Sequence, residues 1–142
     1  MRLGFALLSV ALSVALSVAL APALRADPPE LQAGLHCAAA AGPGRILCEL
    51  RTSARSGRLV WSDALVVRAP TFARPLRSRF LTQLGTAGAP GGGFAKLALV
   101  ATEAGQGQLE LLARAVVCRD SANGEWCAPE VLSVSTLVEV AQ

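Results

Sequence analysis

Two runs of strict alternation dominate the second half of the chain. Leu109, Leu111, Ala113, Ala115 and Val117 share one side of a run whose other side carries Gln108, Glu110 and Arg114. This period of two is the mark of a half-buried strand. Leu132, Val134, Val138 and Val140 repeat the pattern against Ser133, Ser135 and Glu139. The pattern predicts strands over Leu109 to Cys118 and Val131 to Val140, joined by a turn segment containing Ser121-Ala122-Asn123-Gly124. Asn-Gly tolerates positive φ, so the chain reverses tightly there and brings Cys118 and Cys127 within bonding reach.

The first half reads as shorter strands. One begins near Leu35, and another has Ile46, Cys48 and Leu50 alternating with Leu47, Glu49 and Arg51, the two being separated by a small-residue loop from Ala38 to Gly44. Leu59 and Trp61, then Leu65 and Val67, project from one side of a run in which Ser62-Asp63 marks a bulge or bend. Ala69 to Pro75 holds two prolines, so any pairing there belongs at a sheet edge. Arg77 to Leu84 reads equally as a short strand or a helical turn. Gly85 to Gly93, with five glycines and one proline, is a loop, and Phe94 to Ala101 is a further strand. About 6 to 8 short strands with closely spaced turns and no amphipathic helix predict an all-β fold, an antiparallel immunoglobulin-like β-sandwich.

Met1-Arg2, the apolar run Leu3 to Leu20 and the small-residue segment ending at Ala26 have the three-part layout of a secretory signal peptide. Cleavage after Ala23 or Ala26 fits, and Ala26 is preferred because Asp27-Pro28-Pro29 then forms a polar terminus. The alternative, an uncleaved anchor, is disfavoured by Ser9, Ser13 and Ser17 within the run. Residues 1-26 are thus expected to direct export to a periplasmic or secreted space, and residues 27-142 to form a single domain with no membrane span. Removing Arg2 and Arg25 lowers the formal net charge from +3 to +1, so the basic pI gives no argument for nucleic acid.

Four cysteines in an exported chain of this size predict two disulfides. Three pairings are open; local pairing, Cys37 with Cys48 and Cys118 with Cys127, closes two short loops worth roughly 2.5 to 3 kcal/mol each. The chain shows no hydrolase constellation, because His36 is the sole histidine and no Gly-x-Ser-x-Gly surrounds a serine. His36 could activate Cys37 only if that thiol were free. Neither cysteine pair has zinc-knuckle spacing, and the glycine loop lacks a following Gly-Lys-Ser/Thr. No metal or cofactor is therefore expected. Arg68, Arg74, Arg77 and Arg79 lie in a segment from Ala64 to Thr102 with no acid. They are candidates for an anionic partner, or for a peptide or polymer held together with the glycine loop.

Ala115-Val116-Val117-Cys118, then Gly124-Glu125-Trp126-Cys127-Ala128-Pro129-Glu130 and the last alternating strand, resemble the periplasmic immunoglobulin-like N-terminal domain of the thiol:disulfide interchange reductases. The resemblance covers roughly the last fifty residues. It implies that Cys118 and Cys127 are a redox couple relaying electrons to periplasmic partners, with Trp126 as the aromatic neighbour shielding it. Eight residues separate the two cysteines, wider than that family's usual gap. Two functions follow as expectations. One is an exported binding or structural module of the cell envelope, stapled by two disulfides and meeting an envelope protein or polymer. The other is a thiol:disulfide relay domain using Cys118 and Cys127, the one enzymatic chemistry left open.

Overall fold

The computed structural model describes residues 28–85 and 92–142. The signal-peptide reading and the centre of the glycine loop lie outside the described residues.

The alternating runs form strands that pair antiparallel into two sheets. In chain order the strands are β1 (Leu31–Cys37), β2 (Gly44–Ala54), β3 (Arg58–Arg68), β4 (Ala73–Pro75), β5 (Arg79–Leu81), β6 (Gln83–Leu84), β7 (Gly92–Ala101), β8 (Gly105–Ser121) and β9 (Gly124–Val140). The first sheet has the order β1-β2-β7-β4, with β6 also on β7; the second has the order β5-β3-β8-β9. The fold is an antiparallel β-sandwich. Among the described residues it has nine strands where about 6 to 8 were expected, because Ala73–Pro75 pairs as β4 and the segment from Arg77 to Leu84 divides into β5 and β6.

Each sheet buries one row of its alternating residues. From the first come Ile46, Cys48 and Leu50 with Ala95, Leu97, Leu99 and Ala101; from the second come Leu109, Leu111, Val138 and Val140. A smaller cluster of Leu31, Leu59, Ala113, Ala115 and Val117 continues toward the hairpin end. At roughly 25 cal/mol per Å² of buried apolar area, these rows supply the main cohesion of the domain.

Both flanks of the sandwich are laced by backbone hydrogen bonds. On one flank β4, β5 and β6 cross between the sheets: Leu76 donates to Ala98 (3.0 Å), Val66 to Ser78 (2.8 Å) and Thr82 to Ser62 (3.1 Å). On the other, Ala40 donates to Glu139 (3.0 Å) and accepts from Ala141 (2.9 Å). The prolines of Ala69 to Pro75 stand at the edge, as expected, since β4 ends the first sheet.

β3 departs from the expected pattern. Its register shifts fall between Leu59 and Trp61 and between Val66 and Arg68, not at Ser62-Asp63. The extra residue, Val60, reverses parity. Leu59 is therefore buried on the core side, while Trp61, opposite Val116, lies on the outer face. The same shift turns Asp63 outward, where it is nonetheless fully covered. Arg114 donates to both of its carboxylate oxygens (2.8 and 2.6 Å) and Arg79 to one (2.7 Å). Burial pushes the Asp63 carboxyl up, but the Arg114 and Arg79 hydrogen bonds outweigh it and hold the group below the ordinary carboxylate range. Arg114 is shifted up in turn, chiefly by its bond to Asp63.

Candidate functional site

The expected local pairing of cysteines is the one formed: Cys37 with Cys48 and Cys118 with Cys127. Each joins directly opposed residues of neighbouring strands, with Cα atoms 4.0 Å apart. Their surroundings differ. Cys37 and Cys48 are buried at 7% and 2% exposure within the main core. Cys118 is equally buried, at 2%, whereas Cys127 is exposed near the end of the β8–β9 hairpin.

The hairpin places this second bond three residue pairs from its turn. Ser121 pairs with Gly124, leaving Ala122-Asn123 as the loop; Gly124 has φ +109°, which a side chain would resist. Cys118 shares the outer face of the second sheet with Val116 and Arg114, and Arg58 of β3 is its register partner on the other side. An ion pair joins Arg58 to Glu125. It therefore crosses β8 on the face that carries Cys118. The turn before β3 closes in as well: a Cβ on Gly57 would lie 2.3 Å from the Cys118 carbonyl oxygen.

A carboxylate oxygen of Glu125 stands 3.8 Å from Cys127 Sγ. A disulfide sulfur has no hydrogen to donate, so this contact sets a negative charge against the sulfur. Cys127 thus has a carboxylate beside it, and that carboxylate is paired with Arg58, whose backbone is in register with Cys118. The Glu125 carboxylate disfavours negative charge on Cys127 and so favours Cys118 as the sulfur that carries it when the bond opens. Cys118, Cys127 and Glu125 also bring their ligand atoms within 4.8 Å of one another, but in the bonded form neither sulfur is a thiolate that could bind a metal ion.

Trp126 does not cover the pair. Neighbours in a strand face opposite sides, and Trp126 lies with Arg119, whose guanidinium sits 5.0 Å from its ring centroid. Arg119 donates to Glu30 (2.9 Å), which also accepts from the Ser56 hydroxyl (2.8 Å). Ser56's hydrogen bonds, with help from Arg119, hold Glu30 below the ordinary carboxylate range. The hairpin end is thus tied to the body from both faces. The aromatic ring on the disulfide's own face is Trp61, opposite Val116, two residues along β8 from Cys118. Its position depends on the Val60 bulge, so it was not visible in the sequence.

The arginine group is divided. Arg79 is bound to Asp63 and Arg68 pairs in register with Glu110. Arg74 and Arg77 remain at the edge of the first sheet, where Arg45 and Lys96 join them: Arg45 and Arg74 both flank Val100, and Arg77, Lys96 and the Asp63-bound Arg79 line one groove. This open groove, of about 860 Å³, also contains Phe80, Gln83 and Phe94. His36 is exposed opposite Glu49, and its neighbour Cys37 is committed to a buried bond. Among the described residues no helix is long and apolar enough to cross a membrane.

Comparison with protein-family models, curated proteins and solved structures finds no match for this chain.

Proposed function

We propose that this is an exported immunoglobulin-like domain whose Cys118–Cys127 bond exchanges with the thiols of partner proteins. The observation that carries this reading is the contrast between the two disulfides: one has both sulfurs in the core, and the other presents Cys127 to solvent while keeping Cys118 covered. A structural staple needs neither exposure nor asymmetry. An exchange site needs one sulfur that an incoming thiolate can reach.

The reaction begins when a thiolate of a partner dithiol attacks Cys127 Sγ. A new sulfur–sulfur bond forms there as the old bond breaks, and its electron pair leaves on Cys118. Cys118 then takes up a proton. The partner's second thiolate attacks its own sulfur in the mixed disulfide, releasing Cys127 as a thiolate. The partner leaves oxidised by two electrons and the domain is reduced by two. The same steps in reverse pass the electrons to a disulfide elsewhere. The resemblance of the hairpin to interchange reductases and the leader-like first 26 residues support this reading and its setting outside the cytoplasm.

The test is titration of the purified protein in glutathione buffers, with alkylation and peptide mapping. Cys118 with Cys127 is expected to titrate above about −300 mV with the fold intact, whereas Cys37 with Cys48 stays oxidised. Reduction of both pairs only on unfolding would remove the proposal. That outcome leaves the second reading, a static module stapled by both bonds, for which the cationic groove of Arg77 and Lys96 provides an anion-binding surface. Salt-dependent retention on an immobilised polyanion, lost in an Arg77→Glu/Lys96→Glu variant, would support that alternative.

A further inference from the structure

We infer that the reduced Cys118 and Cys127, together with Glu125, form a binding site for a thiophilic divalent cation of the zinc(II) type. The site rests on the reading that the Cys118–Cys127 bond opens, and it exists only while that bond is open.

The two cysteines are directly opposed on β8 and β9, with Cα atoms 4.0 Å apart. Glu125 lies two residues before Cys127 on β9, so both side chains leave the strand on the same face. The two sulfurs and a Glu125 oxygen all lie within 4.8 Å of one another. Zinc binds thiolate sulfur at about 2.3 Å and carboxylate oxygen at about 2.0–2.2 Å, and tetrahedral angles then set sulfur and oxygen roughly 3.5–3.7 Å apart and two sulfurs roughly 3.8 Å apart. Glu125 Oε1 stands 3.8 Å from Cys127 Sγ. The carboxylate is therefore already at ligand spacing, and the sulfurs reach theirs by separating as the bond opens.

Arg58 makes this carboxylate a directed ligand. It is paired with Oε2, while Oε1 is the oxygen that stands toward the sulfur. Ligating carboxylates are ordinarily supported in this way, one oxygen held by an outer partner and the other left for the ion. The charges balance as well, two thiolates and a carboxylate against one guanidinium and one divalent cation. Thiolates select against magnesium and calcium, which take oxygen ligands, and the carboxylate beside them favours zinc(II) over the softer copper(I). Cys118 is buried whereas Cys127 and Glu125 are exposed, so the ion enters from the solvent side and water completes its coordination.

Metal-site spacings count residues along a chain, and eight residues between the cysteines conceal the cluster that the hairpin register assembles. Binding displaces a proton from each thiol that carries one. When the disulfide re-forms, its two electrons passing to a partner disulfide, both sulfur ligands are lost and the ion is released. The metal and the bond thus exclude each other.

Anaerobic zinc titration of the purified protein tests the inference. The protein is reduced with a phosphine, the reductant is removed, free thiols are counted and mapped by alkylation, and zinc is measured by equilibrium dialysis, with cobalt(II) as a parallel spectroscopic probe. The reduced protein is expected to show free thiols at Cys118 and Cys127, to hold one zinc per chain and to give a thiolate-to-cobalt charge-transfer band; the oxidised protein is expected to hold none. Glu125→Gln, with unchanged circular dichroism, is expected to bind zinc roughly 10–100-fold more weakly. Free thiols at both positions without zinc binding would overturn the site and leave the exchange reading standing. A pair that opens only on unfolding would overturn both. Equal zinc affinity in Glu125→Gln, or zinc held by the oxidised protein, would overturn the three-ligand site.

Discussion

Cys118 and Cys127 oppose each other across β8 and β9 with Cα atoms 4.0 Å apart, yet one is buried at 2% exposure and the other faces solvent. Single-cysteine variants should separate the two. In Cys118→Ser, the Cys127 thiol should react readily with an alkylating agent; in Cys127→Ser, the Cys118 thiol should react slower by roughly tenfold or more, because reactivity follows access of the thiolate. Stopped alkylation followed by peptide mapping measures both. Equal rates would mean that Cys118 is not shielded and would remove the basis for assigning attack to Cys127.

The carboxylate 3.8 Å from Cys127 Sγ opposes negative charge on that sulfur. Glu125→Gln should therefore favour the reduced form and raise the pair's reduction potential by on the order of 10–30 mV. Arg58→Gln removes the cation that offsets the Glu125 charge and should lower it. The glutathione titration measures both shifts. Shifts of the same sign would show that the two charges do not act on the sulfurs as their positions imply.

The hairpin and its bond were legible in the sequence because β8 and β9 each bury one face, and burial of one face preserves a period of two. The turn then set which cysteines meet, with Gly124 alone taking the positive φ expected of Asn123-Gly124. β3 was misread because Val60 adds a residue and moves Trp61 and Asp63 to the other side from the one that simple alternation assigns. The family resemblance implied that Trp126 shields the pair, although strand geometry turns Trp126 and Cys127 to opposite sides. Arg45 and Lys96 join Arg74 and Arg77 only through the pairing of β2 and β4 with β7. Such a meeting of distant segments leaves no local signal, and β4, β5 and β6 are too short to show periodicity.

Gly57 occupies a left-handed conformation, φ +87°, against the strand that carries Cys118. A Cβ there would lie 2.3 Å from the Cys118 carbonyl oxygen and 2.7 Å from Arg119 Cγ. The carbonyl is backbone in a paired strand and has little room to yield. Gly57→Ala should cost about 2–4 kcal/mol of stability and loosen the cover over Cys118. Denaturant titration checks the first effect and the alkylation rate of Cys118 in a Gly57→Ala/Cys127→Ser variant checks the second. A neutral substitution would mean that the turn is not pressed against β8.

Asp63 joins β3, β5 and β8 through a carboxylate with no exposure, and it makes stability depend on acid. Its folded pKa lies below its unfolded value of about 3.9 because Arg114 and Arg79 more than offset the effect of burial. A group depressed in this way contributes fully above its unfolded pKa, and the contribution is lost as pH falls through the folded pKa. Asp63 should therefore add no slope between pH 5 and 8, and its contribution should decline below about pH 4. Asp63→Asn should cost about 1–3 kcal/mol at neutral pH; the partly exposed arginines regain water and keep the loss from being larger. Denaturation of both proteins across the acid range should show the difference narrowing as pH falls. A difference that stays constant down to the folded pKa and below would mean that Asp63 acts by packing and not by charge.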